Sequence, residues 1–256
     1  MGDWNSEQYL KFKKERTQPS FDLAEKIEAV NPKRIIDIGC GPGNSTAVLK
    51  KQFPDAYILG VDFSPNMIEK AKTDYPDMDF MLFDAEKDFD KLNGNFDIVF
   101  SNACIQWIPN HRKLLTEMMG VLNPGGVLAV QIPFQFDQPM HKAIQQVAAG
   151  VKWKEIIPFE RVFNILSENE YFDILCELSS DFTMWKTVYF HRMPSQFSII
   201  EWYRATGLKP YLDILSDKMK AEFENDVFEK IKPFYPVQQN GEVIFRFPRL
   251  FFTAVK

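Results

Sequence analysis

"IIDIGCGPGNSTAVL", residues 35–49, decides how the rest of the chain is read. An apolar run ends at Asp37 and Ile38, three glycines follow at alternate positions (Gly39, Gly41, Gly43), and a helix-compatible segment starts at once. Strand, glycine turn and helix in this order make a loop whose backbone can come close to a ligand that a Cβ would push away. The spacing is GxGxG, where a dinucleotide-binding turn usually reads GxGxxG. Asp37 stands two residues before the first glycine, where it can meet an ammonium directly or through water. A pyrophosphate would give that carboxylate no use.

Working outward, apolar runs alternate with amphipathic stretches. Candidate strands are 34–38, 57–62, 79–83, 96–101 and 126–132. Helical stretches such as "STAVLKKQF" and "SPNMIEKAKTDY" lie between them, the second opening with Ser64 as N-cap and Pro65 at the first helical position. Another helix, "HRKLLTEMMGVL", should stop at "NPGG". Strands buried on both faces by crossover helices imply a doubly wound, Rossmann-like α/β sheet, with its ligand beyond the carboxyl ends of the strands at the switch point. After Pro133 the texture changes. Residues 138–176 and 195–232 read as helices, 181–191 as a strand, and "EVIFRFPRLFFTAVK" as a last strand in which Pro248 implies an edge or a bulge. The expected layout is a lid and helix over 1–30, the ligand-binding α/β core over 31–135, and a helical cap with the final two strands over 136–256, in one integrated domain.

Composition narrows the partners. A net charge of −5 with no run of five like charges gives no basic face for nucleic acid. No stretch approaches eighteen apolar residues, and the start of the chain is charged throughout, so neither secretion nor a membrane span is expected. Cys40, Cys104 and Cys176 are far apart, without metal-binding spacing, and read as reduced cytosolic thiols. We expect no metal. The 24 phenylalanines imply a filled apolar interior or an apolar ligand cleft.

Two more acids follow the loop. Asp62 ends the second strand, 19 positions after Gly43, where a carboxylate can accept from ribose hydroxyls. Asp84 ends the third strand, where it can accept from an adenine exocyclic amine. Asn102 and Ala103 leave the fourth strand where a reacting sulfonium would lie. Taken together, loop, two acids and strand exit resemble the class I S-adenosylmethionine-dependent methyltransferases. The chain lacks the Asn/Asp-Pro-Pro-aromatic run that cradles a target amine, and the Pro-Cys pair of cytosine C5 enzymes, reading "NACI" there instead. An acceptor carboxylate stays attractive, since it is ionised at pH 7 and needs no general base. Its cationic anchors could come from the second half, which offers Tyr189, His191, Arg192, Arg204, Arg246 and Arg249.

The likeness then extends along the chain. "DWN", "YLKF" and "ER" near the start, "NACIQWIPNH" and "LNPGGVLAVQIP" in the middle, and "WKTVYFHRMPS", "IIEWYRATGLKPYL", "YPVQQNGEVIF" and "FPRLFFTAVK" in the distal half resemble the bacterial trans-aconitate 2-methyltransferase family. The poorest match is 151–170. The resemblance implies a cytoplasmic enzyme that esterifies one carboxylate of a small polycarboxylic acid, trans-aconitate above all, leaving S-adenosylhomocysteine. No nucleic acid, membrane or obligate protein partner is implied. It places the cofactor on Asp37, Gly39, Gly41, Gly43, Asp62, Asp84, Ala85, Asn102 and Ala103. Asn102, Gln106 and Trp107 would border the transfer site, with no residue acting as general base. Tyr9, Arg16 and Gln18 from the lid, with Tyr189, His191, Arg192 and Arg204 from the cap, would hold the acceptor's other carboxylates. Two alternatives stay open: a related enzyme acting on a malonyl thioester or fatty acid carboxylate, and a non-catalytic S-adenosylmethionine-binding protein.

Overall fold

The computed structural model describes residues 13–29, 31–135, 137–159, 164–204 and 206–256. Tyr9 lies outside them, as does the side chain of Arg16. Seven strands form one sheet in the order β3-β2-β1-β4-β5-β7-β6: β1 (Arg34–Ile38), β2 (Tyr57–Asp62), β3 (Asp79–Leu82), β4 (Phe96–Asn102), β5 (Leu122–Pro133), β6 (Phe182–Met193) and β7 (Val243–Val255). The first five are parallel, and β7 runs antiparallel to β5. The order reverses between β1 and β4, so the expected switch point falls at the carboxyl ends of these two strands.

Cα packing sorts the chain into two compact units. One holds 13–133, 163–187 and 249–256. Its helices are α1 (Lys13–Ala24), α2 (Asn44–Gln52), α3 (Pro65–Asp74), α4 (His111–Gly120) and, after a gap in sequence, α6 (Glu168–Leu178). The other takes its described residues from 134–162 and 188–248, with α5 (Pro139–Ala148), α7 (Phe197–Arg204), α8 (Lys209–Leu212) and α9 (Asp217–Ile231). Trp153, Trp202, Tyr211, Phe223 and Phe245 are all buried in its core, so aromatic residues go to packing there.

Local chemistry explains the element ends. Ser64 caps α3 by accepting from Met67 N at 3.2 Å, with Pro65 next to it, as the sequence implies. Two expectations need correction. Helix α4 stops at Gly120, before "NPGG", which enters β5; the Lys256 ammonium binds the carbonyls of Gly120 at 2.9 Å and Leu122 at 2.6 Å and settles the boundary there. Pro248 does not mark an edge strand, since β7 lies between β5 and β6. Its missing N–H costs nothing to β5, because that pairing ends at Pro133 and Arg249, and Pro248 uses its carbonyl to accept from Phe134 N at 2.9 Å.

Candidate active site

The loop between β1 and α2 has φ of +78° at Gly39, +55° at Gly41 and +89° at Gly43, a region L side chains seldom enter. The three glycines serve different ends. A Cβ on Gly39 would lie 2.3 Å from Cys104 Sγ, and one on Gly43 2.7 Å from the Tyr75 ring. At Gly41 the same construction meets nothing within 4 Å. Packing alone therefore accounts for two of them, whereas Gly41 keeps an open face. The end of β2 fixes the loop: Gly39 N and Cys40 N donate to Val61 O at 2.8 and 3.0 Å, and Gly41 N donates to Asp62 Oδ2 at 2.9 Å. Asp62 Oδ1 accepts from Ser64 N at 2.9 Å, so this acid is a strut for the loop as well as a candidate ribose ligand.

Beneath the loop, Asp37 is fully buried, with the Ser45 and Thr46 hydroxyls both donating to its Oδ2 at 2.7 Å. Burial raises its carboxyl from 3.8 to about 6, against the lowering effect of the two hydroxyls. Its Oδ1 is buried and has no hydrogen bond. At the exit of β4, Asn102 Oδ1 and Gln106 Oε1 are in the same condition. Ala103 between them holds φ of +55°, a strained value for a residue with a Cβ, and its N donates to Gln131 O at 2.9 Å while its carbonyl accepts from Gln106 Nε2 at 2.7 Å. Ala85 is buried beyond β3. Asp84 pairs with Lys87 at 2.8 Å and accepts from Glu86 N at 3.0 Å; burial would raise its carboxyl, but these partners outweigh it and hold it below the ordinary range.

The turn Ile105–Trp107 has a support that sequence reasoning missed. His111 is buried between Ile105 O at 2.8 Å from Nε2 and the Tyr171 hydroxyl at 2.6 Å from Nδ1. A carbonyl can only accept, so Nε2 carries the proton and Nδ1 accepts from Tyr171. Burial lowers the His111 pKa and keeps the ring neutral in this role. The available signal was a histidine directly after the N-cap Asn110. Ser45 and Thr46 were also missed, although they stand directly behind the glycines in "GNST".

An unsatisfied buried carboxylate oxygen and two unsatisfied amide oxygens call for a ligand rich in N–H donors or positive charge. A phosphate-bearing ligand would need the opposite. The set fits the ammonium and sulfonium of S-adenosylmethionine. Cysteine nucleophiles do not fit here: desolvation, then the charges of Asp37 and Asp62, push the Cys40 thiol well above its ordinary range, and Cys104 is raised in the same way. Among the described residues no His/Cys/Asp/Glu cluster could hold a metal ion, and no helix is long and apolar enough to cross a membrane.

The remaining expected residues whose side chains are described have partners of their own. Gln18 is exposed in α1 and donates to Asp22 at 2.7 Å. In the other unit, Arg192 forks onto Glu242 at 2.9 and 3.0 Å, and Arg204 forks onto Glu224 at 2.6 and 2.7 Å. Buried His191 stacks between Tyr189 and Trp202, with ring centroids at 6.1 and 4.9 Å.

Comparison with known proteins places the chain in a family. A methyltransferase-domain family model matches residues 36–130. The fold resembles the phosphoethanolamine N-methyltransferase 2 of Haemonchus contortus, with a TM-score of 0.57 at 18% identity over 93% of this chain and 52% of that one. Similarity to the trans-aconitate 2-methyltransferase of Escherichia coli is 38% identity over 254 residues, 99% of this chain and 98% of the relative. The Methylobacterium radiotolerans enzyme of the same name is 38% identical over 260 residues, 100% of this chain and 99% of the relative. With that identity running the length of both chains, the chain belongs to the trans-aconitate 2-methyltransferase family of class I methyltransferases.

Proposed function

We propose that the protein forms a methyl ester on one carboxylate of trans-aconitate in the cytoplasm, with S-adenosylmethionine as donor and no obligate protein partner. The observation that carries the reading is the set of unsatisfied acceptors Asp37 Oδ1, Asn102 Oδ1 and Gln106 Oε1 in the unit that carries the open face of Gly41. When bound, S-adenosylmethionine supplies a methyl group activated on a sulfonium. Asp37 and the Gly39–Gly43 loop would hold its amino-acid portion, Asp62 its ribose, and Asp84 with Ala85 its adenine. Asn102, Ala103 and Gln106 would line the transfer site, with Trp107 as a wall. An ionised carboxylate brings its own lone pair, so the protein's task is orientation and exclusion of water, with no proton to remove.

For the acceptor, Tyr9, Arg16, Gln18, Tyr189 and His191 keep the substrate-side role the resemblance gives them. We assign Arg192 and Arg204 first to framing their own unit, since a guanidinium fork on a glutamate must give up that partner to take another. The test is an assay of purified protein with S-adenosylmethionine against a panel of tri-, di- and monocarboxylates and a malonyl thioester. The expected product is the trans-aconitate monoester, formed at a saturated rate nearly flat from about pH 6.5 to 9 because the acceptor is ionised throughout. Cofactor binding with transfer only to the thioester or a fatty acid, or with none at all, would replace this reading by one of the two alternatives.

A further inference from the structure

Gln131 is the one polar side chain in the β5 run Val127–Ile132, and it is fully buried. Its register neighbours are Asn102 on β4 and Phe251 on β7. Arg249, in register with Pro133, lies two residues from Phe251 along β7, so strand alternation puts Gln131, Phe251 and Arg249 on one face of the sheet. Arg249 is 4% exposed and donates from Nη1 to Gln131 Oε1 at 3.3 Å. A guanidinium has donors only, so it fixes the amide with its oxygen toward Arg249. That choice leaves Gln131 Nε2 buried without a hydrogen-bond partner. On the same face, Phe251 is covered by Trp185, stacked at 5.1 Å and 10°.

An oriented amide donor beside a buried guanidinium, against an aromatic wall, is a receptor for a planar anion with two acceptor oxygens. We propose that Gln131 and Arg249 clamp a non-reacting carboxylate of the acceptor, and that this clamp makes the enzyme select polycarboxylates. The inference rests on the carboxylate-methylation reading above. Asn102, beside Gln131 in the sheet, connects the clamp to the transfer site, so one carboxylate on the pair leaves another for reaction. A monocarboxylate can fill only one of these places.

The test uses the full chain and the variants Q131E, Q131L, R249Q and R249K. Q131E places a carboxylate of the protein beside Arg249 and so competes with the acceptor. We expect KM for trans-aconitate to rise at least 30-fold in Q131E and R249Q and about 10-fold in Q131L, with R249K between R249Q and wild type. The dissociation constant for S-adenosylhomocysteine, read by calorimetry, should stay within threefold, and the rate at saturating trans-aconitate should fall far less than kcat/KM does. A merely structural pair would weaken cofactor binding and lower kcat along with kcat/KM. If R249Q does not fold, the two Gln131 variants decide. Wild-type KM in Q131E and Q131L overturns the clamp while leaving carboxylate methylation standing. Failure of the wild type to methylate any carboxylate ends both.

Discussion

Two sets of polar groups, one in each unit, are treated in opposite ways. In the unit that holds 13–133, Asp37 sits fully buried with one oxygen bonded and the other left open, Gln106 repeats that half-satisfied state, and Asn102 Oδ1 is buried without a hydrogen bond. In the other unit, Arg204 and Arg192 each spend a whole guanidinium fork on a glutamate. Satisfied pairs hold a fold together, whereas unsatisfied buried atoms raise its energy and gain from a ligand that completes them. The difference separates frame from site where residue type does not, since Arg192 and Arg204 also stood among the site candidates in the sequence.

The largest effects should come from setting Gly39 against Gly41. Gly39→Ala drives a methyl into Cys104 and should destabilise the protein by about 3 kcal/mol or more, seen as a large drop in thermal midpoint. Gly41→Ala has room and should lose only about 1 kcal/mol, from its left-handed backbone, yet weaken S-adenosylmethionine binding by roughly 100-fold. Equal loss of stability in both would mean that Gly41 is structural too.

Asp37 comes next. A carboxyl raised from 3.8 unfolded to about 6 folded favours the protonated native state, so its contribution is fully present below pH 3.8 and lost as the pH rises through about 6. The ionised form at pH 7 thus carries a destabilisation of about 3 kcal/mol. Asp37→Asn should therefore stabilise the unliganded protein at pH 7 by up to that amount in urea unfolding. It should also weaken cofactor binding, and remove the decline in affinity expected of the wild type as the pH falls below about 6. A destabilised Asp37→Asn protein would contradict this assignment.

Smaller effects belong to the frame. Arg204→Ala leaves Glu224 largely enclosed without its fork and should cost about 2 kcal/mol in urea unfolding, with cofactor affinity unchanged. Arg192→Ala removes an exposed pair and should leave stability near wild type. If Arg192→Ala instead raises KM for trans-aconitate tenfold without loss of stability, the fork on Glu242 opens during turnover.

What the sequence showed and what it hid follows from distance along the chain. Strands β1 to β5, the Ser64 cap and the glycine turn are local patterns, and periodicity with turn chemistry found them. So was the alternate-glycine spacing, although not the division of labour by which Cys104 and Tyr75 require Gly39 and Gly43. Pairs made by folding were out of reach: Arg249 meets Gln131 across 118 residues, and Tyr171 meets His111 across 60. The partners of Arg192 and Arg204 lie 50 and 20 residues away, which is why both looked available. Pro248 allowed an edge or a bulge, and the sheet rules out the edge, since β7 lies between β5 and β6 and its pairing with β5 ends at the next residue.

The most direct test is a calorimetric titration of the purified chain with S-adenosylmethionine and, separately, with NAD. One site in the micromolar range for S-adenosylmethionine, roughly −8 kcal/mol, and no heat with NAD is the result this account predicts. Binding of NAD with no response to S-adenosylmethionine would show that the unsatisfied acceptors around Asp37 await a different ligand.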